Sequence, residues 1–338
     1  MYKQSSKYYR WSLYVVVLLA LLVLASAWSL LGGNMDVSFK DLPQLLNGEL
    51  DTVEAVIITK IRLPRVILGI AVGGALSLSG TILQGVYRNP LVEPYTLGIS
   101  GGAALGITIA IVFGLERFLG TWVLPLMGFG GAMIIIVLVY WLGQRSQRMN
   151  TQGMLLVGVM ISFIASSMMM LLMSITTTEN LQSIFFWTMG SLDSTNSTLI
   201  RIAFFTSIIG LVLSYFFVQP LNALRIGEEK ARHLGINTDL SVRLLFMISS
   251  LLTGVCVAVV GVIGFVGLII PHLARFVVGG DFRILLISSF LGGGVFLILS
   301  DILARNVIAP NELPIGVITG LIGGTVFVFM INKGKGRI

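Results

Sequence analysis

The side chains in this sequence that are most able to do chemistry lie close together in one short stretch, GEEKARHLGI at residues 227–236. Two glutamates open it, and a lysine, an arginine and a histidine follow, in a chain of which only 11% is charged. Acids at the start and bases at the end of a helix complement its dipole, and a terminal glycine such as Gly235 suits a left-handed cap. The stretch predicts either a two-turn helix along a membrane surface or a solvated loop that keeps bases on one side.

Motifs for catalysis or metal binding are missing from the sequence. It has no GxxxxGK[ST] stretch, so this chain cannot by itself hold ATP phosphates, and it has neither HExxH nor GxSxG. His233 and His272 are too far apart in sequence to form a local metal pair, and the single cysteine, Cys256, excludes a multi-cysteine site. We therefore expect no catalytic residue, no metal site and no cofactor bound by this chain.

The elements that carry the charged stretch must be membrane helices. The chain is 56% hydrophobic, its mean hydropathy is +0.95, and apolar runs of about 20 residues, long enough to cross a bilayer, recur along it. The sequence predicts an all-α polytopic membrane protein with a single domain over 1–338. The net charge of +7 does not predict nucleic-acid binding, because the bases are scattered between apolar spans without stacking aromatics.

Ten spans are predicted, which places both termini on the same side of the membrane. Most of the 22 Lys and Arg residues fall on that side, so the positive-inside rule makes it cytoplasmic. The first span could be a removed signal, since Ala25–Ala27 resembles a cleavage site, but its uncharged run is long enough to span and we expect it to be retained. The predicted spans are 11–32, 63–86, 94–114, 118–143, 152–176, 197–219, 240–262, a short one at 263–279, 283–303 and 313–332.

The predicted spans are nearly free of charge. Ion-coupled carriers place ionisable groups within their spans, whereas Asp301, Arg201 and Arg243 fall near predicted ends, where they can reach the interface. An ion-coupled secondary transporter is therefore the weaker alternative, and a transporter built by this chain takes its energy from elsewhere. Arg62 and Arg65 lie on the outer side and break the positive-inside pattern.

Several motifs resemble one known family. Glu229, Ala231 and Gly235 form the pattern E-x-A-x3-G, which resembles the coupling-helix motif of ABC importer permeases. The chain from about residue 60 to 330 is similar to FecCD-type permeases, which import iron-siderophores, haem or cobalamin. The stretches that carry this resemblance are RLPRVILGIAVGGALSLSG (62–80), QGVYRNPLVEPYTLGISGGAALG (84–106), GEEKARHLGI, GFVGLIIPHLARFVVGGD (264–281), DILAR (301–305) and ELPIG (312–316).

The resemblance implies the ABC type II importer permease fold, multi-pass in the plasma (inner) membrane of a prokaryote. It implies a second permease subunit, identical or a paralogue, around a central path. It also implies two cytoplasmic ATPase subunits that hold ATP and Mg, and a substrate-binding protein outside. The expected cargo is a ferric-siderophore-like metal chelate, with haem, cobalamin or an oxyanion as alternatives, because selection in this family lies mainly with the binding protein.

The resemblance also assigns roles to residues. The segment of about 220–239 would couple to the ATPase, with Ala231 and Gly235 keeping the contact surface low and Leu234 as an apolar anchor. The coupling residues are Glu228, Glu229, Ala231, Arg232, Leu234 and Gly235.

Docking and gating residues follow from the same resemblance. Arg62, Arg65 and Arg305 would dock the binding protein, although the first two could merely reach the interface at a helix start. Near the inner gate the matching residues are Asn89, Leu91, Thr151 and Gln152, and a rigid turn explains the prolines there equally well. The chain departs from the family at Phe282 and Thr325, where many members have histidine and proline.

Overall fold

The computed structural model of the chain describes residues 2–32, 53–145, 151–194, 196–308 and 311–333, and within these ranges all regular structure is helical. The helices, in chain order, are α1 Tyr2–Leu31, α2 Val53–Ile57, a π-helical turn Ile58–Arg62, α3 Leu63–Val86, a 3-10 turn Pro94–Leu97, α4 Ile99–Val112, α5 Glu116–Leu119, α6 Val123–Arg145, α7 Thr151–Ser174, α8 Thr178–Met189, α9 Ser197–Phe216, α10 Val218–Leu224, α11 Glu228–His233, α12 Thr238–Val260, α13 Val266–Val278, α14 Phe282–Asn306 and α15 Ile315–Lys333.

Ten of the described helices are apolar enough to lie in a membrane. Seven are long enough to cross it and three more, α4, α13 and α15, are shorter, so the predicted number of spans is confirmed. The second span is longer than predicted, because α2 and the π-helical turn extend α3 outward to Ala55. The third begins later, since 94–97 forms the 3-10 turn instead of the start of α4.

Helix α8 was not predicted, because 177–196 fell outside every predicted span. Thr177 caps it by accepting a hydrogen bond from the backbone N–H of Asn180, and its composition is too polar for a hydropathy criterion to detect. Beyond α8, the N–H of Ser191 donates to the carbonyl of Val260 at 2.8 Å. The segment therefore packs inward against the outer end of α12.

Helix α3 is the centre of the bundle, and nearly all of its residues are buried. It packs against α9, α12, α13 and α14. A Cβ atom on Gly73 would collide with the carbonyl of Gly293 in α14, and one on Gly80 would collide with the carbonyl of Gly267 in α13. Helices in a bilayer associate through such close packing, since lipid supplies no hydrophobic driving force.

The ten apolar helices run alternately in opposite directions across the bundle. Their polar contacts lie at its two ends. One end holds the ion pair between Lys7 and Asp281 together with α10 and α11. The other holds the ion pair between Arg65 and Glu312. The first is the cytoplasmic end, and the connection at 113–122 lies at the outer end.

Candidate functional site

The charged stretch forms a helix, as one of the two sequence interpretations predicted. Helix α11 ends at His233, and two residues further on the chain turns at Gly235, whose φ of 81° lies in the left-handed region. The N–H of Gly235 donates to the carbonyl of Arg232 at 2.9 Å, and the N–H of Ile236 donates to the carbonyl of Ala231 at 3.1 Å. This pair of bonds is the Schellman arrangement that closes a helix with glycine. The alternative of a solvated loop is wrong.

Helix α11 presents one face outward and packs the other against its own bundle. Glu229 and Arg232 are exposed, and 65% of Leu234 is exposed, so an apolar anchor is available to a partner. Ala231 is completely buried within the subunit. The expectation that Ala231 belongs to the contact surface is therefore not met, because its methyl group faces inward and lets α11 lie close to its own bundle.

Arg232 braces α11 against the helix that follows it. Its Nε donates to Oγ1 of Thr238 at 2.8 Å, and its Nη2 donates to Asp239 at 2.9 Å. Both acceptors lie in the first turn of α12. These two contacts join α11 to the start of a membrane helix.

A second connection runs from α10 to the turn between α13 and α14. The side chain of Asn222 accepts a hydrogen bond from the N–H of Phe282 at 3.1 Å and donates to Asp281 at 3.2 Å. Phe282 is almost fully buried, and its ring fills the space that Gly85 of α3 leaves open. Phe282, the first residue of α14, therefore packs its ring directly against α3.

Asp281 is held ionised at this turn. Partial burial acts to raise the pKa of Asp281, but hydrogen bonds from the N–H of Arg283, from Asn222 and from Lys7 outweigh it and hold the pKa below its ordinary value. The carboxylate also caps α14 through the N–H of Arg283. It therefore joins α1, α10 and α14 at the cytoplasmic end.

The residues predicted at the inner gate lie in two places. Asn89 and Leu91 share one exposed turn, in which the side-chain oxygen of Asn89 accepts the N–H of Leu91 at 2.9 Å. Thr151 begins α7 and Gln152 follows it, but their side chains lie outside the described residues. The exposed fraction of Leu91 is 54%, which leaves its apolar side chain open to a neighbouring subunit.

The three predicted docking arginines lie at the outer end, and all three are engaged within the subunit. Arg65 binds Glu312 with two hydrogen bonds, of 2.7 and 3.2 Å, and also pairs with Asp193. Arg62 donates to the carbonyl of Leu30 at 2.6 Å. Both arginines are buried, so neither extends freely towards the interface.

Arg305, the third docking arginine, pairs with Asp301 one helical turn earlier at 3.0 Å and donates to Ser29 of α1 at 2.7 Å. Asp301 is only 6% exposed, so its carboxylate is enclosed at the outer end of α14 and does not extend into water. A buried carboxylate requires a partner, which Arg305 supplies. A cavity of about 220 Å³ opens between these groups and Glu312.

Two irregular backbone segments meet in the interior, a feature that sequence reasoning missed. The carboxylate of Glu93, before the 3-10 turn, accepts the N–H of Phe265, and the hydroxyl of Tyr95 accepts the N–H of Ile263 at 3.3 Å. Irregular backbone at membrane depth persists only where protein groups satisfy it. The glutamate in VEPYT and the glycines around 261–264 were the available signals.

The architecture defines the class of protein. Apolar helices packed around a buried central helix, with a capped surface helix at the cytoplasmic end, form a multi-pass transport subunit of the plasma membrane. The chain matches the FecCD transport family over residues 19–333 and belongs to that family. The family and fold predictions are thereby confirmed.

Relatives and a solved structure agree with this assignment. The chain is 37% identical over 322 residues to the hemin transport system permease protein HmuU of Yersinia pestis, covering 95% of this chain and 94% of HmuU. It is 36% identical over 333 residues to the vitamin B12 import system permease protein BtuC of Salmonella typhi, covering 98% and 97%. A solved structure described as an inward-facing metal-chelate type ABC transporter matches with a TM-score of 0.84 and 33% identity, covering 94% of this chain and 98% of that chain.

Proposed function

We propose that this chain is the permease subunit of an ATP-driven importer that moves a ferric-siderophore-like metal chelate into the cytoplasm. The observation that carries the proposal is α11, a capped surface helix braced against α12 and connected through its neighbour α10 to the turn before α14. Such a helix suits a lever that a cytoplasmic partner moves. Membership of the FecCD family and the neighbouring metal-chelate transporter support the cargo class.

The proposed assembly contains more chains than this one. A second permease subunit, identical or a paralogue, completes the path, and two ATPase subunits bind α11 from the cytoplasm. ATP and Mg belong to the ATPase, and this chain binds no cofactor. Closure of the ATPases would move α11, and the hydrogen bonds of Arg232 and Asn222 would carry that movement to α12 and α14.

Docking of a binding protein at the outer end would require an exchange of ion pairs. The carboxylates of Asp193 and Glu312 in this subunit form ion pairs with Arg65, so acidic side chains of a binding protein must displace them. Charges at the rim of an interface contribute mainly to orientation and association rate, and salt screens them. Docking through Arg62, Arg65 and Arg305 would therefore be weak in the resting subunit and sensitive to salt.

The cytoplasmic end would supply the gate. Leu91 and Asn89 on their exposed turn would meet the partner permease, together with Thr151 and Gln152 at the start of α7. Pro90 within the turn and Pro94 after it limit its motion, which suits a seal.

Haem or cobalamin is the second candidate cargo, since relatives of similar identity are named for hemin and for vitamin B12. Their near-equal identities do not favour one of them, and an oxyanion has no comparable support. The chelate that the partner binding protein retains through purification separates these cargoes, because each has its own absorption spectrum or metal content.

Uptake into proteoliposomes tests the proposal. The chain is reconstituted with its ATPase and binding protein, and labelled ferric chelate is supplied on the binding-protein side. We expect uptake to require ATP and to persist when an uncoupler removes the proton gradient. Uptake that continues without the ATPase but stops with the uncoupler would establish an ion-coupled secondary carrier instead.

A further inference from the structure

A small basic pocket lies at the cytoplasmic end of the bundle, beside the segment of about 220–239, which contributes Arg225, and beside the turn that holds Asn89 and Leu91. Its volume is about 200 Å³, and its wall includes Gln84 of α3, Arg88 just beyond α3, Arg225 between α10 and α11, and Arg275 of α13. Three guanidinium groups thus share one cavity, and none of the described residues that line it is acidic. Arg88 and Arg225 are exposed, so water weakens the repulsion between these like charges without removing it.

Two of the arginines are held in place by neutral groups. Nη2 of Arg275 donates to the side-chain oxygen of Gln84 at 3.4 Å, and Nη1 of Arg225 donates to the carbonyl of Gly280. Gln84 is itself only 2% exposed and is fixed by donating to two backbone carbonyls of α13. These contacts orient the guanidiniums without cancelling their charge.

Arg88 completes the pocket with a free cation. Its φ of 50° is unusual for a residue with a side chain and is energetically unfavourable. Within the described part of the chain, its guanidinium has no hydrogen bond or ion pair. The carboxylate nearest in sequence to the pocket wall, Asp281, is directed instead towards Lys7 and Asn222.

We propose that this pocket binds a phosphate-class anion, supplied either by the headgroup of an anionic phospholipid or by free inorganic phosphate. A planar guanidinium group binds phosphate oxygens through paired hydrogen bonds. A pocket lined by three arginines and no described acid therefore favours a phosphate group. The cavity has room for one phosphate group and some ordered water. The pocket lies where α3 and α13 end on the cytoplasmic side, which is the level of the lipid headgroups. Basic pockets between helices at that level bind anionic lipid.

The test uses the full chain, purified in a non-ionic maltoside detergent, with the apparent unfolding temperature as readout. In one arm inorganic phosphate is titrated against chloride at equal ionic strength. In the other, micelles receive phosphatidylglycerol or, for comparison, zwitterionic phosphatidylcholine. Arg88→Gln is the principal variant, because this exposed side chain has no described partner and its loss should leave the fold intact. Arg243→Gln is the control, since Arg243 is an exposed base at the cytoplasmic end of α12 outside the pocket.

We expect the wild-type chain to be stabilised in at least one arm, with a midpoint concentration about tenfold higher in Arg88→Gln, the effect of losing one charge-assisted hydrogen bond. The control should match the wild type. A response only to phosphatidylglycerol identifies a lipid headgroup, and a response to inorganic phosphate identifies a soluble anion. Equal responses of wild type and Arg88→Gln in both arms, or no response of the wild type in either, would overturn the proposal. Transport activity does not enter this test, so its result is independent of the proposed function.

Discussion

Replacing Gly235 with leucine should uncouple ATP hydrolysis from uptake. Gly235 has a φ of 81° and forms the left-handed end of α11, and a Cβ atom there would meet nothing of this subunit within 4 Å. The leucine side chain therefore has room in the isolated chain. Any steric effect must come from a partner that covers this end of α11.

The backbone contributes a separate cost. A residue with a Cβ in the left-handed region costs about 1–2 kcal/mol, which lowers the equilibrium constant for the capped helix end by a factor of about 5–30. Because α11 is only 6 residues long and lies at the surface, this penalty should mainly loosen the helix end. The apparent unfolding temperature of the whole subunit should fall by no more than about 2–4 °C.

Gly114 offers a matched control at the other membrane face. Its φ is 61°, and a Cβ there meets only the far end of one side chain, at 4.0 Å. The same pair of backbone hydrogen bonds closes α4, from the N–H of Gly114 to the carbonyl of Ile111 and from the N–H of Leu115 to the carbonyl of Ala110. Gly114 lies in the outer connection between α4 and α5, so Gly114→Leu should carry a similar backbone cost and leave transport unchanged. ATP hydrolysis and chelate uptake are measured together in proteoliposomes. Full uptake in Gly235→Leu, or an equal loss in Gly114→Leu, would refute the assignment of α11 as the coupling helix.

Three further predictions concern the polar contacts. Glu312→Gln should leave Asp193 as the one carboxylate paired with Arg65 among the described residues and strengthen binding-protein docking severalfold in a low-salt pull-down; Glu116→Gln, the same charge change at the outer face, should not. Asp281→Asn should lower the stability by about 1 kcal/mol at neutral pH. Because the pKa of Asp281 is depressed, this difference should be constant above about pH 5 and disappear as the pH falls through the folded-state pKa; a gap in thermal unfolding that does not shrink as the pH is lowered contradicts it. Glu93→Ala should leave the N–H at the start of α13 buried without an acceptor and cost about 1–3 kcal/mol, whereas an unchanged unfolding temperature would show that water replaces the carboxylate.

The features predictable from the sequence are those encoded locally. Apolar runs fix the number of membrane helices, because a span is recognised by its own length and composition. For α11, the order of its charges and the glycine at 235 left a helix and a solvated loop open, and the resemblance of its E-x-A-x3-G pattern to a coupling helix favoured the helix. Helix α8 was not, because it is neither long nor apolar enough to be a span.

Residue roles that depend on distant partners could not be predicted. From the sequence, Arg65 is predicted to be an outward-facing cation, but in the structure it binds Glu312, which lies 247 positions further along the chain. Ala231 is predicted to belong to a contact surface, but its side chain is buried within the subunit. Glu93 reads as a polar loop residue, and only the fold brings it to Phe265, 172 positions along the chain.

By itself, the sequence determined the membrane class, the number and order of spans, the cytoplasmic surface helix and the family. The tertiary structure alone decided which polar groups are exposed on the surface and which pair with one another inside the subunit. The physical reason is the close packing that glycines such as Gly73 and Gly80 permit around α3. That packing determines which buried charges and backbone groups come into contact. Hydropathy along the chain contains no information about contacts between residues that are distant in sequence.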